Sequence, residues 1–379
     1  MKSALCEKLG IDFPLFAFSH CRDVAAAVSR AGGMGVFGAV TLTPEQLETD
    51  LRWIDRQVDG RPYGVDLIVP DRMMGKGEAH DPESLLAAIP EAHKRFAEAL
   101  LREAGLDAEG LEEERRESIR FAQNLQEGGA EELLEIAFSH PIRLIANALG
   151  VPPPIMLEMG RRHGVPVAAL VGAKEHAVRQ VEAGVDIIIA AGGEAGGHCG
   201  EVSTLVLVPE VIEAVRPLSD VPVLAAGGIV TGRQMAACMA MGAAGAWTGS
   251  VWLTTAEAET SPAVREKLLR ASSRDTVRSR SRTGKPSRQL RSPWTDAWES
   301  GRGPDPLPMP LQSLVSEPAL RKVDKLSQGG HEGARRLATY WVGQGVGLMN
   351  HETSVRQVMQ EFQEDFLEAY ERLQFMMEG

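Results

Sequence analysis

Short apolar runs alternate with segments of helical period along the first 255 residues. FPLFAF (13–18) leads into DVAAAVSRAGG, whose alanines and valines carry helical spacing and whose Gly32-Gly33 offers a stop. MGVFGAV follows, then TPEQLETDLRWIDRQ, where Thr43 can cap, Pro44 sits in the first turn, and Leu47, Leu51 and Ile54 share a face. The apolar runs continue with PYGVDLIVP (62–70), IRLIANAL (142–149), VPVAALVG (165–172), VDIIIAAG (185–192), VPVLAAGG (221–228) and GAWTGSVWL (245–253). Between the later runs lie PPIMLEMGRRHG, AKEHAVRQVEAG, LVLVPEVIEAV and TGRQMAACMAMG, mostly helical in pattern. Eight nearly continuous apolar strands, each covered on both faces, are what a closed parallel barrel requires. The pattern predicts an α/β fold, a TIM (β/α)8 barrel, with an open doubly wound sheet as the alternative.

Two segments fall outside the barrel unit. Residues 71–140 are rich in Glu and Arg with helical apolar spacing (LLAAIPEAHKRFAEALL, ESIRFAQNLQ, AEELLEIAF). This insertion follows the third strand's C-terminal end, the active-site face of such a barrel, and reads as a helical lid. Residues 256–379 hold a basic, serine-rich stretch, a proline-rich loop (GPDPLPMP), and helical patterns around ARRLATYWVGQGVGLMN and SVRQVMQEFQEDFLEAYERLQ. The expected division is a barrel from 1–70 and 141–255, a lid from 71–140, and a C-terminal extension from 256–379 completing a substrate lobe.

Composition narrows the function. A chain of 379 residues with 44% apolar residues can bury a sizeable core. A net charge of −12 gives the molecule no overall footprint for nucleic acid or an anionic membrane, so a small-molecule ligand is expected. Cys6, Cys21, Cys199 and Cys238 show neither disulfide-scaffold density nor paired zinc spacing, which predicts reduced thiols and no metal site. MKSALCEKLGIDFPLF lacks a signal core, and no run approaches the roughly 20 apolar residues of a membrane helix, so the cytoplasm is the expected compartment.

Chemistry on a barrel lives in the strand-end loops. After the seventh strand come Ala226, Gly227 and Gly228, just before a helix opened by Thr231; the eighth runs through Thr248, Gly249 and Ser250. Glycines there let main-chain N–H groups approach a phosphate, and the loops after strands seven and eight are where barrels usually hold one. After the sixth strand comes GGEAGGHCG, whose glycines let the backbone run against a flat ligand and carry His198 to the rim. Glu194 is expected to anchor that loop, and Cys199, with no partnering base or resolving cysteine in the sequence, to be a bystander. Arg274 to Arg291 contains seven basic residues and one acid. It is either a solvated loop or a clamp for the phosphates of a coenzyme A thioester or NAD(P)H.

These residues resemble the nitronate monooxygenase, or 2-nitropropane dioxygenase, group of FMN-dependent barrels, relatives of the flavin-dependent enoyl-thioester reductases and some NAD(P)H:quinone reductases. The matching pieces are LGIDFPLF with DVAAAVSRAGGMGVFG, HAVRQVEAGVDIIIAAGGEAGGHCG, VPVLAAGGIVTGRQMAACMAMGAAGAWTGS, TGKPSR and VGQGVGLMN. The resemblance implies FMN, its phosphate at Gly227, Gly228, Gly249 and Ser250, and its ring over Phe18, Ser19 and His20. It places Ala226, Gly196 and Gly197 beside the flavin and makes His198 the catalytic histidine. It also exposes departures. Phe18-Ser19-His20 replaces the family's usual Ala-Pro-Met, Ala191 stands where an amide or acid is common, and Asp66 replaces an asparagine near the flavin. An ionised Asp66 there would disfavour a reduced-flavin anion. The implied activity is oxidation of alkyl nitronates with O2. The alternatives are NAD(P)H-dependent reduction of an enoyl or other CoA or carrier-protein thioester or a quinone, and a non-catalytic flavin-binding protein.

Overall fold

The apolar runs pair in sequence order and close on themselves. In the computed structural model, which describes residues 1, 3–40, 42–68, 82–124 and 127–378, eight parallel strands form a closed barrel. They are β1 (Leu15–Ser19), β2 (Met34–Gly38), β3 (Tyr63–Leu67), β4 (Leu144–Asn147), β5 (Val167–Val171), β6 (Ile187–Ala191), β7 (Val223–Ala226) and β8 (Gly245–Thr248). Pairing of Leu15 with Ala246 and of Ala17 with Thr248 closes the ring and excludes the open sheet.

Alternation along each strand sorts side chains between two cores. Phe16, Met34, Val36, Leu144, Ile189 and Trp247 fill the barrel interior, whereas Leu15, Phe37, Val65, Ile188 and Ala225 face the surrounding helices. Register places Asp66 level with Gly38 and Ala146 near the strands' C-terminal ends. A short helix, Ala4–Leu9, capped by Ser3 and ended by Gly10, adds Leu5, Cys6 and Leu9 to the interior cluster. The helix Pro44–Gln57 begins with a capping box between Thr43 and Gln46 and buries Leu47, Leu51 and Ile54. Loss of such a cap typically costs about 1 kcal/mol.

The eighth run is only half a strand. Its residues Ser250–Thr254 turn into a 3-10 helix, with Val251 and Trp252 buried. An apolar run fixes burial but not backbone shape.

The first part of the insertion, 71–81, lies outside the described residues. Beyond it come helices Pro82–Ala87, Glu91–Glu103, Leu111–Asn124 and Glu127–Ser139. Leu86, Ala97, Leu100 and Leu101 of these helices share one apolar core with Leu268, Trp294, Val315 and Val323 of the extension. The extension is divided, however. Its last helix, Val355–Glu378, leaves that core and lays Val358, Met359 and Phe362 on the flank of the barrel. The run ARRLATYWVGQGVGLMN is α-helical only at its start, in Glu332–Leu337; Gln344–Leu348 is a 3-10 turn, and Gly343 and Gly345 press on other main chain too closely for side chains. No helix among the described residues is long and apolar enough to cross a membrane.

Candidate active site

The histidine loop leaves β6 and is held from three directions. The Glu194 carboxylate accepts hydrogen bonds from the main-chain N–H of Thr204 at 2.8 Å and from its hydroxyl at 2.9 Å, so it anchors the loop to the start of the next helix. The Gly193 carbonyl accepts from Arg288 Nε at 2.9 Å, and the Glu194 carbonyl accepts from the Gln344 N–H at 2.9 Å. Gly197–His198 then forms a two-residue strand against Ser287–Leu290, itself paired with Thr276–Ser279.

That small sheet shows what the basic stretch does. Arg278 pairs with Glu201 at 3.0 Å, Arg280 holds the carbonyls of Gly284 and Pro306, and Arg291 lies 3.6 Å from Asp296. Arg282 is buried, forks onto Glu317 at 2.7 and 3.2 Å, and lies over the Trp341 ring at 3.7 Å. The stretch is neither a solvated loop nor a row of free arginines. It is the partner strand that positions His198, and most of its guanidinium groups are engaged with protein.

His198 lies in an exposed position at the rim, its Nε2 2.8 Å from the Thr283 hydroxyl. Protein crowded around the ring, and secondarily the Lys285 charge, lower its pKa to about 4, even though the residue keeps contact with solvent. The imidazole is neutral at pH 7. Cys199 has its thiol pushed up by burial, opposed by Arg288 and Arg278, so it is protonated and unsuited to nucleophilic work. All four cysteines are free thiols.

On β1, Phe18 lies across the indole of Trp247, ring centres 6.4 Å apart, and meets His20 edge-on at 5.0 Å. His20 Nδ1 is 2.8 Å from the Gly38 carbonyl. Burial lowers the His20 pKa and the Arg282 charge adds to that, while the Gly38 bond opposes both. The Ser19 hydroxyl accepts from the Cys21 N–H at 3.1 Å.

Asp66 is 1% exposed, its Oδ1 has no hydrogen-bond partner, and burial raises its pKa well above the usual carboxylate range. Burial thus favours the neutral form of the carboxyl. In that form the residue would not repel a reduced flavin, because a protonated carboxyl can donate a hydrogen bond as an amide does.

At the ends of β7 and β8 the main-chain N–H groups of Gly228, Gly249 and Ser250 donate to no acceptor among the described residues. Gly227 and Gly228 both have positive φ, 112° and 69°, which turns the chain sharply after the buried Ala226. A side chain on Gly249 would meet nothing nearer than Phe18 at 4.0 Å, so that loop borders open space. A Cβ on Gly196 would lie 2.8 Å from Gly343 and Val342 main chain, so its smallness admits the tail, whereas nothing lies within 4 Å of a Cβ on Gly197. The Ser250 hydroxyl likewise accepts from the Gly343 N–H at 2.8 Å. Two residues that contact this rim escaped the sequence reading, Thr283 beside His198 and Gly343 beside Ser250, although both lie in the quoted pieces TGKPSR and, one residue in, VGQGVGLMN. A cleft of about 330 Å³ lined by Thr231, Arg233, Leu348 and His351 lies near the β7 loop but includes neither His198 nor Asp66.

Comparison with known proteins agrees with this architecture. Over its full length the chain is 50% identical to a Mycobacterium tuberculosis protein that carries the provisional name of monooxygenase, itself covered completely. Nitroalkane oxidase from Streptomyces ansochromogenes has the same fold, with TM-score 0.78 and 24% identity, covering 98% of this chain and all of that one. FabK from Thermotoga maritima superposes with TM-score 0.71 and 25% identity over 99% of both chains. The family model described as nitronate monooxygenase matches residues 2–365, and the chain belongs to that family.

Proposed function

We propose that the protein is an FMN-dependent oxidoreductase that oxidises small nitroalkanes or their nitronates with O2. The observation that carries this reading is one barrel end that holds both a neutral, well-anchored imidazole and a row of unpaired main-chain N–H groups. The residues fit the cofactor. Unpaired N–H groups at Gly228, Gly249 and Ser250 suit a phosphate, and the orphaned Oδ1 of Asp66, whose burial favours the neutral carboxyl, suits a polar ring edge. Phe18, Ser19, His20, Gly197, Ala226 and Gly227 would complete the cradle, with Gly196 behind it. When bound, the flavin supplies the electron-accepting face.

The chain's own contribution is positional and protonic. His198, neutral at pH 7, can remove the α proton of a nitroalkane or accept a hydrogen bond from it. The insertion and the first part of the extension, sharing one core beside the mouth, form the substrate lobe. The thioester-reductase reading has support in the FabK likeness, yet it asks for a phosphate clamp where most arginines are already paired, and for a proton donor where the histidine is neutral.

The test is the visible spectrum of the purified protein under anaerobic conditions, followed by separate additions of nitroethane, its nitronate, NADH and NADPH. Bleaching by the nitro compounds with recovery in air is expected. Bleaching by NAD(P)H alone transfers the assignment to the reductase class, and no bleaching by any donor leaves a flavin-binding protein.

A further inference from the structure

A threonine hydroxyl has one proton to give and two lone pairs to receive with. Three groups surround Thr283 Oγ1: the Lys285 carbonyl at 3.2 Å, the Lys285 N–H at 3.4 Å and His198 Nε2 at 2.8 Å. The carbonyl can only accept, so it takes the hydroxyl proton. The N–H can only donate, which fills one lone pair. The remaining lone pair faces Nε2, which must then carry a hydrogen. The opposite assignment sets two oxygens 3.2 Å apart with no proton between them and forfeits one hydrogen bond, a bias of roughly 2- to 10-fold against it.

The surroundings restrain the residue that carries this hydroxyl. Thr283 is buried, Arg282 before it is forked onto Glu317, and Gly284 after it is pressed against the Leu307 carbonyl. Nδ1 of His198 has no hydrogen-bond partner among the described residues, and the residue is exposed at the mouth.

We infer that Thr283 is a positioning residue that holds His198 as the Nε2–H tautomer and turns a bare Nδ1 lone pair toward substrate, so that the site takes a neutral carbon acid, a nitroalkane with an α C–H, in preference to the preformed nitronate. The substrate half of this inference rests on the function proposed above; the tautomer half does not. In the step assigned to His198 the α C–H bond breaks and its proton forms a bond to Nδ1. The electron pair stays on the substrate and spreads over the nitro oxygens. The resulting imidazolium keeps its Nε2–H bond to Thr283, and the nearby Lys285 charge favours the anion just formed. A nitronate brought in ready-made would instead meet a lone pair.

Nitrogen-15 NMR of histidine-labelled holoenzyme at pH 7 reads the tautomer directly, with the His198 signals identified by their loss in His198→Gln. The expected result is a protonated Nε2 and an unprotonated Nδ1. Thr283→Val should yield a mixture or the reverse tautomer, and Thr283→Ser should restore the wild-type pattern. With nitroethane, Thr283→Val should lower kcat/KM by about 10- to 100-fold, the usual effect of removing a group that orients a functional histidine. The loss with the nitronate should be smaller, and Thr283→Ser should recover both. A wild-type Nδ1–H tautomer, or a His198 spectrum unmoved in Thr283→Val, overturns the positioning role. The expected tautomers in an enzyme that turns over nitronate faster than nitroethane would uphold Thr283 and overturn the substrate preference.

Discussion

The phosphate loops can be tested at a residue where steric and electrostatic effects separate. A side chain on Gly228 would be strained by φ of 69° and would meet the Glu194 Cβ at 3.0 Å, so its substitution disturbs the loop whatever binds there. Gly249 has φ of −131° and open space before it, so Gly249→Glu and the isosteric Gly249→Gln can both be built without displacing the chain. At about 4 Å, a carboxylate and a phosphate of charge about −1.5 to −2 repel by roughly 6–8 kcal/mol at an effective dielectric of about 20. The glutamate has a cheaper escape. Protonating a side chain that ordinarily titrates near 4.3 costs only about 3.7 kcal/mol at pH 7, and that smaller figure limits the penalty. Relative to Gly249→Gln, the expected loss of FMN affinity is therefore about 500-fold at pH 7, shrinking to about 5-fold at pH 5, where protonation costs about 1 kcal/mol. Fluorescence titration of FMN into apoprotein at the two pH values measures both. Equal affinity of the Glu and Gln variants at pH 7 would refute the placement of the phosphate beside Gly249.

Four further outcomes follow from the geometry. His198→Ala should retain FMN, because the phosphate loops do not depend on it, yet slow proton removal from nitroethane by about 10²- to 10⁴-fold; unchanged single-turnover reduction would reduce the histidine to a structural residue. Since the His198 pKa is lowered to about 4, the base form persists as pH falls from 8 to 5, and kcat/KM for nitroethane should decline only as pH drops through about 4. Lys285→Ala removes a charge that opposes the imidazolium and should move that acidic limb to higher pH; an acidic limb near 6.5 in the wild type would contradict the assigned environment. Glu194→Ala strips two hydrogen bonds from Thr204 and should lower stability by about 1.5–3 kcal/mol in urea unfolding, with Glu194→Gln losing less, whereas an unshifted midpoint would show that the loop is anchored elsewhere.

The barrel was legible because its signal is local. Most of the strands are short apolar runs ended by glycine or a helix start, and all eight occur where the runs lie, although Val251 and Trp252 extended the eighth run beyond its strand. Ala4–Leu9, Pro262–Arg270, Pro293–Glu299 and Leu311–Gln328 all escaped as helices, and two of them show different reasons. Ala4–Leu9 carried readable signals in its Ser3 cap and Gly10 stop, but at six residues it shows less than two turns of pattern. Leu311–Gln328 contains Pro318, which reads as a break but is tolerated and buried inside the helix. The site was legible only in part. Glycine loops and a rim histidine follow from strand-end position, whereas the bond from His198 to Thr283 joins residues 85 apart in sequence, and no periodicity reports such a contact.

That long-range contact also bears on why the basic stretch looked like a ligand clamp. A run of arginines in an acidic chain suggests an external anion when its own partners are distant in sequence. Here Arg278 meets Glu201, Arg282 meets Glu317 and Arg288 meets the Gly193 carbonyl, so the charge is spent on ordering the strand that holds the histidine loop. Burial sets how much each contact matters. The Arg278 and Glu201 pair, with Glu201 82% exposed, is screened and worth about 1 kcal/mol at most. The fork of Arg282 is different, because removing Glu317 leaves the buried guanidinium charge without its ion-pair partner. Thr283 sits directly after that fork, so the contact inferred to fix the tautomer of His198 is tied to a buried ion pair in the extension and not to the barrel alone. Under the proposed function, the proton transfer assigned to His198 would be coupled to the folding of the second core through one residue step, Arg282 to Thr283, at the mouth of the barrel.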